Sequence, residues 1–453
     1  MNYSAGTLEL NRIFAKPRYP LTPLRKLATV VQYGISARAS EQEIGFPILR
    51  MNNLQNDGWD LGDLKYIELS ESEARTYKLE NGDILFNRTN SKELVGKCEV
   101  FREEGHWVFA SYLIRVRLDT TQAEPDFVSM FLNTPAGRVQ IDRVSRQIIG
   151  MSNINAEELL ELHIAVPPLP VQQQMVVEME RVRKAWQRRL EQANAMLSGL
   201  DAFVFDRLGI GPTKTLFPRF FAARLRDSWV RCDPDYHSPK FKELRRAIDS
   251  SHDPVYDLGT LAPNPRTGFA AGREVQSFDQ EEGIPHVRPL NITRHGELTF
   301  KDTKLVPRDA VEPDDMLQPD EVLLNNTNST EWVGKTTVFE GQRECCCSNH
   351  ITRLTPDRSL VLPWFLAALL NAMRSTGYLG LLATNFVNQA GINTETLCAL
   401  RLPVPSLDEQ QKIVAELMGR RNEARRLREE AAGEWEAAKA RFEARLLGRE
   451  GAQ

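Results

Sequence analysis

Two stretches of the chain carry apolar residues in steps of three and four for much longer than an ordinary globular helix needs. In the first, Met175, Met179, Val182, Trp186, Leu190, Ala193, Leu197, Leu200 and Val204 form one stripe, with Arg, Lys, Gln and Glu between them. In the second, Ile413, Leu417, Ala424, Leu427, Ala431, Trp435, Ala438, Phe442 and Leu446 do the same, with Arg420 interrupting the stripe. Such seams predict helices of about 40 residues, roughly 60 Å at 1.5 Å per residue. Ser406 and Glu409 have the spacing of a capping box at the start of the second. A stripe of that length needs a partner. The economical one is the other helix, running antiparallel; the alternative is that each helix packs along its own domain. Ahead of each helix the pattern changes. Short β-rich runs such as Lys97–Phe101 and Trp107–Leu118 alternate with turn signals such as Asn56-Asp57-Gly58 and Asn81-Gly82-Asp83. Val166-Pro167-Pro168-Leu169-Pro170 and Leu402-Pro403-Val404-Pro405 then stop a strand and open each helix.

These two halves are copies. Gly45-Phe46-Pro47 falls on Gly283-Ile284-Pro285 at an offset of 238 residues, and Arg50 and Asn53 fall on Arg288 and Asn291. The same offset takes Asp83-Ile84-Leu85-Phe86-Asn87-Arg88-Thr89-Asn90-Ser91 onto Glu321-Val322-Leu323-Leu324-Asn325-Asn326-Thr327-Asn328-Ser329. It takes Glu93-Leu94-Val95-Gly96-Lys97 onto Glu331-Trp332-Val333-Gly334-Lys335, and Gln172-Gln173 onto Gln410-Gln411. One register over more than 120 residues is a duplication of a domain with its helix.

Composition adds limits. Hydrophobic residues are 42% and charged residues 26%, ordinary for a soluble globular chain. No apolar run approaches the ~18 residues of a membrane span, and the start lacks a signal-peptide pattern, so the expected location is the cytoplasm with no membrane partner. The net charge of −4 argues against DNA binding, although 57 Lys and Arg leave room for a local basic face. Cys345, Cys346 and Cys347 are consecutive and lack zinc-site spacing; strand filler is the plain reading and a redox or metal role the other. Asp233-Pro234-Asp235-Tyr236 is like the Asp-Pro-Pro-Tyr loop of amino-methyltransferases but has Asp at the third place, and an ordinary turn accounts for it. Phosphate loops, zinc helices and nuclease patterns are not recognisable. A non-catalytic binding role is expected, with no metal and no cofactor bound directly.

The repeated polar positions are the candidate DNA contacts. Asn87, Arg88, Asn90 and Ser91, with Asn325, Asn326, Asn328 and Ser329, follow an apolar strand and offer amides and hydroxyls to base edges; Asn- and Ser-rich turn chemistry is the alternative. Arg50, Asn52 and Asn53 pair with Arg288 and Asn291 as a second cluster. Lys97 and Lys335 follow matched glycines and would meet phosphate. Arg143, Arg146, Gln147, Ser152 and Asn153 form a third cluster, with Asn385, Asn388 and Gln389 in the second copy.

Two domains that each end in a hydrophobic-Pro-x-x-x-x-Gln-Gln step into a long helix resemble the specificity subunit of Type I restriction-modification systems. The step is Ile164-Ala165-Val166-Pro167 to Gln172-Gln173 in the first copy and Leu402-Pro403-Val404-Pro405 to Gln410-Gln411 in the second, with Gly82-Asp83-Ile84-Leu85 before Asn87-Arg88 also similar. The second copy departs at Asn326, where the first has Arg88. The resemblance implies a mixed α+β fold: two tandem α/β target-recognition domains, 1–168 and 211–404, and two long antiparallel coiled-coil helices, 169–210 and 405–453. It implies that each domain reads one half of a split, asymmetric site on double-stranded DNA. It implies docking of two adenine methyltransferase subunits that carry S-adenosylmethionine, and of a motor-nuclease subunit. A standalone DNA-binding module of another defence system and a scaffold that binds no DNA are the competing expectations.

Overall fold

The computed structural model describes residues 14–15, 17–55, 58–91, 94–148, 151–210, 221–222, 235–276, 283–387 and 389–449. The chain divides into two compact units, residues 1–190 with 428–453, and residues 191–427. Each is mixed α/β and holds part of both long helices.

In the first unit a four-stranded antiparallel sheet orders its strands Ala28–Tyr33, Leu113–Leu118, Ile84–Asn87, Cys98–Val100. The strand Ile84–Asn87 is buried throughout because both faces of the sheet are covered. Ile84 and Phe86 enter one core with Phe127, Phe131 and Ile164, while Leu85 enters another with Leu49, Phe101 and Phe109. A second sheet places Phe46–Leu49 between Lys65–Ile67 and a parallel Val108–Phe109. The apolar run Trp107–Leu118 is therefore two strands in two sheets, not one, because the turn at Ala110–Tyr112 redirects the chain. Pro125 and Pro135 open the helices Pro125–Leu132 and Pro135–Val144 at the first position, where a missing N–H costs nothing.

The second unit repeats this plan. Its four-stranded sheet runs Arg266–Thr267, Ile351–Leu354, Val322–Asn325, Thr336–Val338, and Lys304–Pro307, Gly283–Val287 and Cys346–Cys347 form the second sheet. Val322 and Leu324 lie in one core and Leu323 in another, the same alternation as in the first copy. The cysteines are wall material: all three are fully buried, Cys345 and Cys347 in one cluster and Cys346 in another. Burial pushes the Cys345 and Cys346 thiols up to about 12. Tyr236, from the methyltransferase-like tetrapeptide, packs against Phe241 with ring centroids 4.7 Å apart; Asp233 and Pro234 lie outside the described residues.

The central helix spans Leu169–Ser198 and resumes as Leu200–Arg207; across Gly199 the bonds to Ala195 and from Phe203 still run i to i−4. The last helix is one run of 41 residues, Leu407–Leu447. Within the first unit the two pair antiparallel: Glu178 meets Arg445 at 3.2 Å, Trp186 lies 6.3 Å from Trp435, and Arg189 bonds Glu434. Within the second, Arg207 bonds Glu409 and the Arg420 guanidinium lies 4.6 Å over the Phe203 ring. The seams also fuse with the domain cores, Met175 and Met179 in one and Ile413 and Leu417 in the other. Arg421, not Arg420, occupies the seam position; it is 7% exposed, donates to the carbonyls of His295 and Gly296 and covers Trp364. Ser406 caps the backbone N–H of Glu409 at 3.4 Å, while the Glu409 carboxylate goes to Arg207 and Lys412. Among the described residues no helix is long and apolar enough to cross a membrane.

Candidate nucleic-acid interface

The polar clusters meet on a third small sheet in each copy. In the first unit Thr89–Asn90 pairs with Met151–Asn153, which pairs with Arg146–Ile148; Ser152 lies opposite Asn90 and Gln147 opposite Ser152. In the second, Thr327–Asn328 pairs with Gln389–Gly391, which pairs with Thr384–Phe386. Asn87–Ser91 and the paired strands Arg146–Ile148 and Met151–Asn153, far apart in sequence, thus become one polar ribbon, and likewise Asn325–Ser329 with Asn385 and Gln389. Asn388 lies outside the described residues. The turn carrying Arg50, Asn52 and Asn53 adjoins this ribbon, since the Asn90 amide lies 3.9 Å from the Met51 sulfur.

The candidates divide by where their polar atoms go. Asn53 is buried: its oxygen accepts the Arg50 N–H at 3.0 Å and its amide donates to the carbonyls of Asp60 and Asp63. Asn291 does the same, with the Arg288 N–H at 2.9 Å and with Thr299 and Thr303. Asn87 and Asn325 are buried and donate at 3.2 Å to the carbonyls of Leu94 and Trp332. Arg50 and Arg288 reach the loops at Asp63 and Asp302. Lys335 is 8% exposed and its ammonium donates to the carbonyls of Pro289 and Ile292 at 2.7 and 2.6 Å. Burial first and the Arg374 charge second hold it at about 8. Each of these side chains bonds to the loops around it.

The remaining candidates range in exposure. Asn52, Arg143, Ser329, Asn385 and Gln389 are exposed; Asn90, Ser91, Lys97, Asn153 and Asn328 are half-buried, and Ser152 is buried. Asn90 and Asn328 each accept the next serine's N–H at 2.9 Å through Oδ1. Arg88 donates to the Ser111 carbonyl at 3.3 Å, with its guanidinium 5.0 Å over the Tyr33 ring. Asn326 donates to the matched carbonyl of Asn349 at 3.1 Å, and also to Thr352. The shared bond survives the substitution, but Arg88 is half-buried and Asn326 is 6% exposed.

The ribbons also carry no carboxylates. Residues 143–155 and 384–394 contain no Asp or Glu, in a chain where acids outnumber bases 61 to 57. Sequence reasoning passed over Tyr33, Tyr112, Phe386 and Val387, which are large apolar residues exposed beside these loops. Phe386 and Val387 had one signal, an apolar pair inside a polar, turn-rich stretch. Among the described residues no group of three or more His, Cys, Asp or Glu side chains could hold a metal ion.

The family model for the Type I restriction modification DNA specificity domain matches residues 32–193 and 317–418, more than half of the chain. The chain belongs to this family. The two matched segments fall in the two copies, and each specificity domain runs into a long helix. The chain is 28% identical over 214 residues to the EcoKI specificity subunit of Escherichia coli, covering 46% of this chain and 44% of that one. It is 25% identical over 209 residues to the StySPI specificity subunit of Salmonella potsdam, covering 46% and 43%. The chain thus spans less than half the length of these curated relatives. Among solved structures, one from work on complex assembly in the type I R-M system aligns over 95% of this chain and 97% of its own at 15% identity, with a TM-score of 0.48. The S subunit from M. genitalium aligns over 95% and 96% at 11% identity, with a TM-score of 0.41.

Proposed function

We propose that this chain is the sequence-reading subunit of a Type I restriction-modification assembly, each copy reading one half of a bipartite, asymmetric site on double-stranded DNA. One observation carries the reading: an acid-free ribbon of amides and hydroxyls is built twice, at one offset, in a chain of the specificity family. Neutral amides can approach base edges between phosphates where carboxylates would be repelled. In this reading the outward groups of Asn90, Asn153, Asn328, Asn385 and Gln389 contact DNA, and Arg88 adds a cation to one half only. The chain itself is non-catalytic. Two methyltransferase subunits dock on the helix pair in the cytoplasm, bring S-adenosylmethionine and modify adenine, and a motor-nuclease subunit joins them for cleavage.

Genome-wide mapping of modified adenines, with and without the gene, tests this. Loss of methylation at one split motif on deletion is the expected result. Unchanged methylation would reject the reading and favour a standalone binder or a scaffold.

A further inference from the structure

The least explained feature of the second copy is the hairpin of Thr384–Phe386 and Gln389–Gly391. Thr384, Asn385, Phe386 and Val387 are all exposed, so this strand covers no core on either face. Phe386 is 65% exposed and Val387 92%, whereas Phe86, Phe127, Phe339 and Phe365 are fully buried. The hairpin is nevertheless held in place. It pairs through Gln389–Gly391 with Thr327–Asn328, and the Asn385 side-chain oxygen accepts a hydrogen bond from Thr330 at 3.1 Å. Its apolar pair is therefore continuous with the ribbon that carries Asn328, Asn385 and Gln389.

The hairpin's own composition bears on the chemistry of what would cover it. Residues 384–394 hold no charge of either sign. A hairpin without acids can enter between two phosphate rows, and one without bases gains nothing by stopping at them. A two-stranded ribbon fits the major groove, about 12 Å wide, and the one apolar group displayed there is the 5-methyl of thymine. Resting on the DNA-recognition reading above, we propose that Phe386 and Val387 read thymine methyl groups in the major groove, as an apolar specificity determinant beside the amides.

The test starts with the full-length protein selecting bound duplexes from a random-sequence pool. Each thymine of the enriched motif is then replaced by deoxyuridine, which removes only the methyl. The wild-type protein is expected to lose about three- to fivefold in affinity at one or more positions within a single half of the motif, the worth of one buried methyl. The double variant Phe386→Ser, Val387→Ser is expected to bind thymine and deoxyuridine duplexes equally, with an unchanged melting temperature because both side chains are exposed. Equal binding of both duplexes by the wild type, or an undiminished preference in the variant, overturns the proposal and leaves the DNA-recognition reading standing. Failure of the wild type to enrich any motif removes both.

Discussion

Asn53 and Asn291 each turn an oxygen onto an arginine N–H and an amide onto the loop that follows, while Asn328 and Asn385 hold their amides near solvent. One residue type thus serves two purposes, separated by burial. Asn291→Ala removes a buried acceptor and a donor with partners at Thr299 and Thr303, and should lower unfolding stability by about 3 kcal/mol in urea titrations. Asn385→Ala should leave stability within about 0.5 kcal/mol and weaken binding of the selected duplex; a large loss of stability instead would make Asn385 a framework residue. Lys335 offers a titration test. Its folded value of about 8 lies below the ordinary 10.5, so between those pH values the unfolded chain binds more protons and stability rises with pH. Below pH 8 the cost of the buried charge is fully present. Relative to wild type, Lys335→Met should therefore be most favoured below pH 8 and lose ground as the pH climbs toward 10.5. Parallel stability curves would show that the ammonium is not held down by burial.

At the scale of elements, two devices recur in both copies. Gln172 accepts the N–H of Glu124 and donates to the carbonyls of Gln122 and Pro167. Gln410 repeats all three bonds with Leu362, Leu360 and Pro405. Both side chains are fully buried, so the Gln of the Pro-to-Gln step is a clamp joining the helix start to its domain. Gly96 and Gly334 are the second device. Both have positive φ, and a Cβ there would come within 2.5 Å of Ile141 or 2.4 Å of Leu379. Gly334→Ala should cost at least about 2 kcal/mol by strain and overpacking together, read as a lowered urea midpoint. A neutral result would mean that Leu379 yields freely. Such positions show how much was legible. The heptad stripes marked both helices because period survives any packing detail, and the matched Gly-Lys and Gln-Gln pairs marked positions that matter. Their tasks were hidden, since a buried clamp and a surface contact are spelled with the same amide. Arg421 was hidden too, because an arginine in a seam looks like a fault until its carbonyl partners are in view. The small sheet joining Asn90 to Ser152 could not be read at all, as nothing local in either strand specifies the other.

For the molecule as a whole, the duplication is carried in the strand registers, with local changes of offset. Downstream of Gly45 the strand registers repeat at an offset of 238, as in Ser152 with Asn90 and Ala390 with Asn328, except that Phe46 pairs with Ile67 and Ile284 with Val306, an offset of 239 for that strand. Upstream the offset is 234: Gln32 pairs with Arg115, and Arg266 with Arg353. The second copy thus takes four more residues between its first sheet strand and Gly283, in a connection that can lengthen without disturbing either sheet. The ribbons themselves differ between the copies, with Arg88 over Tyr33 in one and a buried Asn326 in the other, while the clamp and the glycines are unchanged. If each copy reads its own half-site, substitutions on one ribbon should act on one half only. Arg88→Ala or Asn153→Ala should relax base preference in a single half of the methylated motif, and Asn328→Ala or Gln389→Ala in the other half. Methylation maps from strains carrying each variant would separate the halves directly. Relaxation of both halves by one substitution would mean that the copies do not read independently, and a uniform loss without relaxation would move that residue from base reading to phosphate contact.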